Sequence, residues 1–264
     1  MDTTLKIDGI DVLVEGEGSQ TIVMIHGWPD TYRLWDEQVE FFRTHYRCVR
    51  FTLPGFDIDK SRQAFSLAQL IGTFKQVVEK TCQGEKVILM LHDWGCVFGY
   101  QFYMKHPSLV SKIIGVDIGD APSRRYVKSL TIKAKAMIVR YQVWLAIAWR
   151  IGGRLGDRMT RSMAHSLRVP ADPQLIRSSM NYPYYIQWTG VHGSYRHLAE
   201  VVPRCPMLFI YGSRKPFMFH SPQWAEDLAA RTGCQVLAFD TEHWVTREES
   251  QRFNKTVQVW LTTT

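Results

Sequence analysis

The chain has 264 residues, 45% of them hydrophobic and 22% charged, enough apolar material for one large α/β domain with room for an inserted subdomain. Its formal charge is +7, but Lys and Arg are scattered with no run of five, which argues against nucleic acid as a partner and for a solvated basic surface. Five cysteines without C-x-x-C spacing read as reduced thiols, and the N-terminus lacks signal-peptide order, so a cytoplasmic protein is expected.

In chain order, Leu5–Glu15 carries Asp8-Gly9 at its centre and reads as an antiparallel hairpin on a sheet edge. Buried strands are then predicted at Thr21–His26, Arg47–Thr52, Lys86–Leu91, Lys112–Ile118, Met207–Tyr211 and Gln235–Phe239. Near-continuous apolar runs of this length suit parallel strands covered on both faces. Between them Ser66–Lys80 has helical periodicity with Ser66 as its cap, Cys96–Lys105 continues as a helix, and Glu248–Leu261 predicts a C-terminal one. Strands alternating with helices imply a mostly parallel, doubly wound α/β sheet. From about Ala121 to Arg196 the alternation fails: the segment has helical patterns broken by Gly152-Gly153, Pro170, Pro173 and Pro183. The division is therefore a core of residues 1–120 and 200–264 with a helical cap, 121–199, inserted between two strands. The apolar stretch Met137–Ile151 is shorter than a membrane span and is interrupted by Arg140, Gln142 and Arg150, so a helix with one buried side is expected and no integral membrane segment.

Three motifs carry chemistry. In His92-Asp93-Trp94-Gly95 a carboxylate sits where a buried strand turns directly into a helix, so its side chain projects over the sheet edge beside a helix N-terminus. Taken alone this Asp could be an ordinary helix cap; the other motifs argue for a nucleophile. His26-Gly27-Trp28-Pro29 makes a stiff turn after an early strand, and its Trp28 amide, paired with that of Trp94, would form an oxyanion hole. His243, in the loop between the last strand and the final helix, is in the position of a general base.

The order HGWP, HDWG and a late His resembles the α/β-hydrolase fold, and within it the Asp-nucleophile branch of epoxide hydrolases and haloalkane or haloacid dehalogenases. The resemblance runs from about Ile7 to Leu261. It implies that Asp93 attacks an sp³ carbon to form an ester, which water activated by His243 then hydrolyses. Two departures stand out. Leu91, two residues before the nucleophile, replaces the usual small residue and should crowd the elbow. After Met207–Tyr211 the chain reads Gly212-Ser213-Arg214-Lys215, without the usual triad acid. Some dehalogenases place the acid after the preceding strand, which here offers Asp117, with Asp120 as the fallback; Glu242 adjoins His243 and is poorly placed to reach its ring.

Epoxide hydrolases of this branch use two cap tyrosines to hold and protonate the epoxide oxygen. The resemblance points to Tyr141 and Tyr195, the latter in a Tyr195-Arg196 pair, with Tyr184 and Tyr185 as rivals. A dehalogenase would need N–H donors for the halide, for which Trp94 and the cap residues Trp144, Trp149 and Trp188 are available. Trp28 in HGWP favours the epoxide hydrolases and the acid at Asp117 the dehalogenases; the balance favours an epoxide. A catalytically silent receptor on the same scaffold is the alternative from another class. His26, Trp28, Trp94 and Trp244, with Tyr184, Tyr185 and Trp188, are expected to line a pocket for a small apolar or aromatic substrate. No cofactor or metal is expected, and a homodimer is left open.

Overall fold

The computed structural model describes residues 2–82, 84–121, 123–195 and 197–264; Arg196 lies outside the described residues. Eight strands form one sheet: β1 (Thr3–Ile7), β2 (Ile10–Glu15), β3 (Thr21–Ile25), β4 (Arg47–Phe51), β5 (Val87–His92), β6 (Val110–Val116), β7 (Met207–Gly212) and β8 (Gln235–Phe239). Their spatial order is β1-β2-β4-β3-β5-β6-β7-β8. β1 pairs antiparallel with β2, and β2 with β4; every pairing from β4 across to β8 is parallel. β2 alternates buried and half-buried side chains because one face is wet, whereas β3 and β5 are buried at every position because helices cover both faces.

The helices are α1 (Asp36–Phe42), α2 (Leu67–Thr81), α3 (Trp94–Lys105), α4 (Arg124–Ser129), α5 (Ile132–Ile151), α6 (Gly153–Ser166), α7 (Tyr182–Thr189), α8 (Pro222–Ala229), α9 (Val245–Glu248) and α10 (Ser250–Thr263). α2 begins in a full capping box: the Ser66 hydroxyl accepts from the Gln69 amide, and the Gln69 side chain accepts from the Ser66 amide. Its buried stripe of Leu70, Phe74, Val77 and Val78 packs with Phe98 and Phe102 of α3 on one face of the sheet. On the other face Phe42 meets Phe253, Val257 and Trp260. Burying each such side chain contributes roughly 1.5–3 kcal/mol.

Every strand predicted from apolar runs forms within two residues of its expected bounds. Among the described residues no strand lies between β6 and β7, a stretch that holds α4 to α7, so the alternation fails where the sequence indicates. The expected helix at 137–151 starts earlier, at Ile132, because Thr131 caps it through the Ala134 amide. No described helix is long and apolar enough to cross a membrane.

Candidate active site

β3, β5, β6 and β8 all end on one edge of the sheet, and the chain leaving each supplies one part of the site. Ligands on open α/β sheets bind at this carboxyl edge because the loops there converge on a crevice. After β5 the chain turns through Asp93 at φ 53° and ψ −125°, and Trp94 opens α3. Positive φ at a non-glycine residue costs about 1–3 kcal/mol, a strain that holds the carboxylate clear of both elements. Two glycines make room for it. A Cβ on Gly95 would stand 2.6 Å from the His26 carbonyl oxygen, and one on Gly27 would stand 2.6 Å from Asp93 Cβ. The crowding expected from Leu91 is relieved by Gly99, one turn into α3, where a Cβ would lie 2.8 Å from Leu91 Cδ1.

The Trp28 amide, in a turn with a cis Trp28–Pro29 bond, donates to Asp93 Oδ1 at 2.6 Å. The Trp94 amide also acts on this carboxylate. His243 Nε2 stands 3.4 Å from Asp93 Oδ2, and its Nδ1 donates to Asp117 Oδ2. Asp117 follows β6 at φ 70° and is fully buried. Its other oxygen accepts from the Gly212 amide at 3.0 Å and from the ammonium of Lys215, whose side chain is 7% exposed. Lys215, at the position where the sequence lacks an acid, therefore clamps the Asp117 carboxylate. Asp120 is committed elsewhere: it accepts from the Ser221 amide at 2.7 Å and from the hydroxyls of Ser221 and Ser123, holding the start of α8 rather than His243. Glu242 pairs with Arg168, away from the ring.

Burial by itself would raise Asp117, but His243 and Lys215 bring it down to about 2. Burial would lower His243; the carboxylates of Asp117 and Asp93 outweigh that and raise it to about 9. Asp93 is likewise raised by burial yet held below its ordinary value, chiefly by the hydrogen bond and charge of His243. The resting arrangement is an imidazolium between two carboxylates, with the outer carboxylate backed by an ammonium.

Two cavities meet at Asp93, sharing Tyr141, Tyr184 and Phe219 in their walls. One, of about 480 Å³, is lined by apolar groups such as Val97, Ile118, Leu130, Ile138 and Leu198, together with Trp94, Trp188 and Tyr195. The other, of about 580 Å³, holds His243, Trp28 and Trp244 with Phe217, Met163 and Arg140. Two expected lining residues are absent from both. His26 is fully buried; its Nε2 accepts from the Leu53 amide at 2.9 Å and its Nδ1 lies 2.8 Å from the Gly27 carbonyl, so it braces the turn from behind. Tyr185 faces away and stacks on Trp149 with ring centres 4.4 Å apart.

Of the candidate indole donors, that of Trp149 is buried without a partner but lines neither cavity, and the others are engaged. Trp28 donates to Asn181 at 2.7 Å, Trp188 to Gln142 at 3.2 Å and Trp144 to the Met159 carbonyl at 3.0 Å, while the Trp94 indole is set against the Tyr184 hydroxyl. The phenols differ. The Tyr195 hydroxyl is buried in the apolar cavity wall with no hydrogen-bond partner, and so is that of Tyr126, which the sequence did not single out. The Tyr141 hydroxyl accepts from the Gln142 side-chain amide at 3.2 Å. Burial drives Tyr141, Tyr184, Tyr195 and Tyr126 well above ordinary phenols, so all stay protonated. Sequence also missed Phe219, whose ring lies 5.6 Å from that of His243, and Asn181, which anchors Trp28 to the insertion; neither residue belongs to a motif.

A parallel sheet that presents a strained carboxylate, two amides and an Asp–His pair along one edge defines a hydrolase-type α/β scaffold. The sequence profile of the alpha/beta hydrolase family matches residues 22–256, and the chain belongs to that family. It is 32% identical to "Epoxide hydrolase 1" of Caenorhabditis elegans over an alignment of 265 positions, covering 91% of this chain and 64% of that one. It is 30% identical to "Probable oxidoreductase EphD" of Mycobacterium tuberculosis over 123 residues, 44% of this chain and 21% of that one. The chain thus spans less than two thirds of either relative. A product complex of a mutant epoxide hydrolase from Bacillus megaterium superposes with a TM-score of 0.77 at 20% identity, covering 98% of this chain and 100% of the other.

Proposed function

We propose that this chain is an epoxide hydrolase that works through an ester on Asp93, with residues 121–199 as its cap. Asp93 Oδ2 attacks an epoxide carbon from the cavity side while Oδ1 stays on the Trp28 amide. The opening oxygen takes its proton from a cap phenol, Tyr141 or Tyr195. Ester formation removes one of the two negative charges beside His243, so the imidazolium holds its proton more weakly and releases it to solvent, while the cap phenolate takes a proton from solvent, leaving a neutral imidazole and a neutral phenol. Water, deprotonated by His243 Nε2, attacks the ester carbonyl, and the Trp28 and Trp94 amides receive the developing oxyanion. Asp117 stabilises the imidazolium that results.

The observation that carries the epoxide reading is the contrast in donors beside Asp93. The Tyr195 and Tyr126 hydroxyls in the cavity wall are buried and unpartnered, whereas the Trp28 and Trp188 indoles that line the same two cavities are bonded to protein groups. Similarity to the nematode epoxide hydrolase supports the same reading. The apolar cavity suits a small apolar or aromatic substrate, and five unpaired cysteines suit a reducing compartment such as the cytoplasm. A dehalogenase retains one argument, the acid after β6.

The test is a pair of substrates on the same proteins. In His243→Gln, an aromatic epoxide should leave a covalent adduct on the Asp93 peptide, seen by mass spectrometry. In the Tyr141→Phe/Tyr195→Phe variant, single-turnover alkylation by the epoxide should fall further than in either single variant, each of which loses roughly 5- to 150-fold. Displacement from an alkyl bromide, which needs no proton, should change little. Equal losses on both substrates would reduce the tyrosines to pocket walls, and alkylation by bromide alone would hand the site to the dehalogenase reading.

A further inference from the structure

The charge of the chain is divided unevenly. Residues 121–199 hold thirteen Lys and Arg against two Asp, while the remainder holds nineteen Lys and Arg against twenty-three Asp and Glu. The insertion is thus strongly cationic and the core mildly anionic. Exposed apolar surface is divided the same way. Of twelve large hydrophobic side chains exposed among the described residues, eleven lie between Val127 and Val191, the exception being Val259.

These two features coincide on α5. At 100° per residue, the exposed Ile132, Met137, Val139, Trp144, Ile147 and Ile151 fall on one side of the helix. Lys133, Arg140 and Arg150 fall on that same side, and the helix contains no acidic residue. The opposite side, with Ala134, Leu145 and Ala148, is buried against the protein. A helix apolar on both sides is ordinarily covered on both; α5 is covered on one. Lys128, Lys133, Arg140, Arg150, Arg154 and Arg158 form no ion pair among the described residues, so their charge is unspent.

We propose that this face of the insertion docks on an anionic lipid surface, with α5 lying in the plane of the headgroups. An exposed apolar helix face that also carries Lys, Arg and a Trp suits the headgroup interface, and a helix of this length offers a footprint of about 30 Å. Charge selects the occupant. A second copy would bring one cationic face against another, while an anionic bilayer matches both the charge and the apolar stripe. The position of the cavity adds a consequence: Val127, Val139 and Trp188 are exposed and also line the apolar cavity beside Asp93. That cavity opens through the docking face, so a lipid-dissolved substrate can enter without crossing water.

The test reads binding rather than turnover, so it stands or falls apart from the hydrolase reading. The full chain is sedimented with vesicles of phosphatidylcholine alone and of phosphatidylcholine with phosphatidylserine. Binding is expected to the phosphatidylserine vesicles only, and to weaken in high salt. Lys133→Glu/Arg150→Glu should weaken it about tenfold or more, and Ile147→Glu/Ile151→Glu should abolish it, both with unchanged circular dichroism and melting temperature. None of these four residues lines either cavity, so their ester formation on an epoxide in detergent-free buffer should match the parent protein. Absence of binding to anionic vesicles, equal binding to neutral ones, or binding that survives both variants would overturn the proposal. So would a dimer, seen by sedimentation equilibrium, that the Ile147→Glu/Ile151→Glu variant dissolves, because a second copy would then own the face.

Discussion

His243 is raised because two carboxylates face it, and Lys215 limits how strongly one of them can pull. Replacing Asp117 with Asn removes the partner of Nδ1. Ester hydrolysis should then slow far more than ester formation, and quenched-flow mass spectrometry should show the alkyl-enzyme accumulating; the same behaviour in Asp120→Asn but not Asp117→Asn would reassign the acid. Lys215→Met acts in the other direction. With its ammonium gone, Asp117 exerts its full charge on His243, which then holds its proton to higher pH. Since hydrolysis needs the neutral imidazole, its rising limb should move toward higher pH by roughly tenfold in proton concentration. Ester formation, which uses the Asp93 carboxylate and a cap phenol but not the neutral imidazole, should keep its pH profile. Lys215→Arg should restore part of the parent profile, which a purely structural role would not require.

At the level of elements, the β5–Asp93–α3 turn works because its neighbours are trimmed to fit. Leu91 stands two places before Asp93, where the resemblance leads one to expect a small residue, and the space is returned by Gly99 on the facing turn of α3. The two positions should therefore be coupled. Gly99→Val alone should destabilise by about 1–3 kcal/mol through overpacking, and Leu91→Ala alone by roughly 2–5 kcal/mol through the cavity it leaves. The double variant should lose less than the sum, as read from urea denaturation. Strict additivity would mean that the turn does not need this exchange. The start of α2 is simpler: its capping box is local, and it is legible as Ser66-x-x-Gln69.

Across the whole molecule, several buried histidines are kept neutral. Burial lowers His26, His92 and His220 to about 4, while Asp30 is raised by burial to about 7. Between pH 4 and 6.5 the unfolded chain takes up protons on three imidazoles that the folded state refuses, whereas only Asp30 favours the opposite sense. The folded state binds fewer protons over this window, so stability should fall as the solution is acidified from 6.5 toward 4. Below that, loss of the depressed Asp117 carboxylate adds to the fall. On the alkaline side, the raised His243 contributes stability that is lost as pH rises through about 9. Melting temperatures measured across pH 4 to 6 should rise monotonically; a maximum near pH 5 would mean that the imidazoles are not excluded from protonation.

The parts of this protein legible in the sequence are those set by short-range rules. Apolar runs mark the parallel strands, buried on both faces except at the sheet edge, where β8 keeps only Phe239 buried; Ser66 and Gln69 mark a helix start, and an Asp or His in the loop after a strand lies at the sheet's carboxyl edge because a parallel strand leaves it nowhere else to go. Asp93, His243 and Trp28 could be singled out for that reason, and Asp117 through resemblance. What tertiary structure decided is direction and partnership between residues distant in the chain. Lys215 lies 98 positions from Asp117, and Trp28 is tied to Asn181 across 153. His26 sits beside the turn yet points into the core, and Tyr185 follows Tyr184 yet faces away, since neighbouring helical positions are about 100° apart. The outer face of α5 was equally hidden: its composition is apolar on every side, and only packing against the core determines which side is left for another surface to cover.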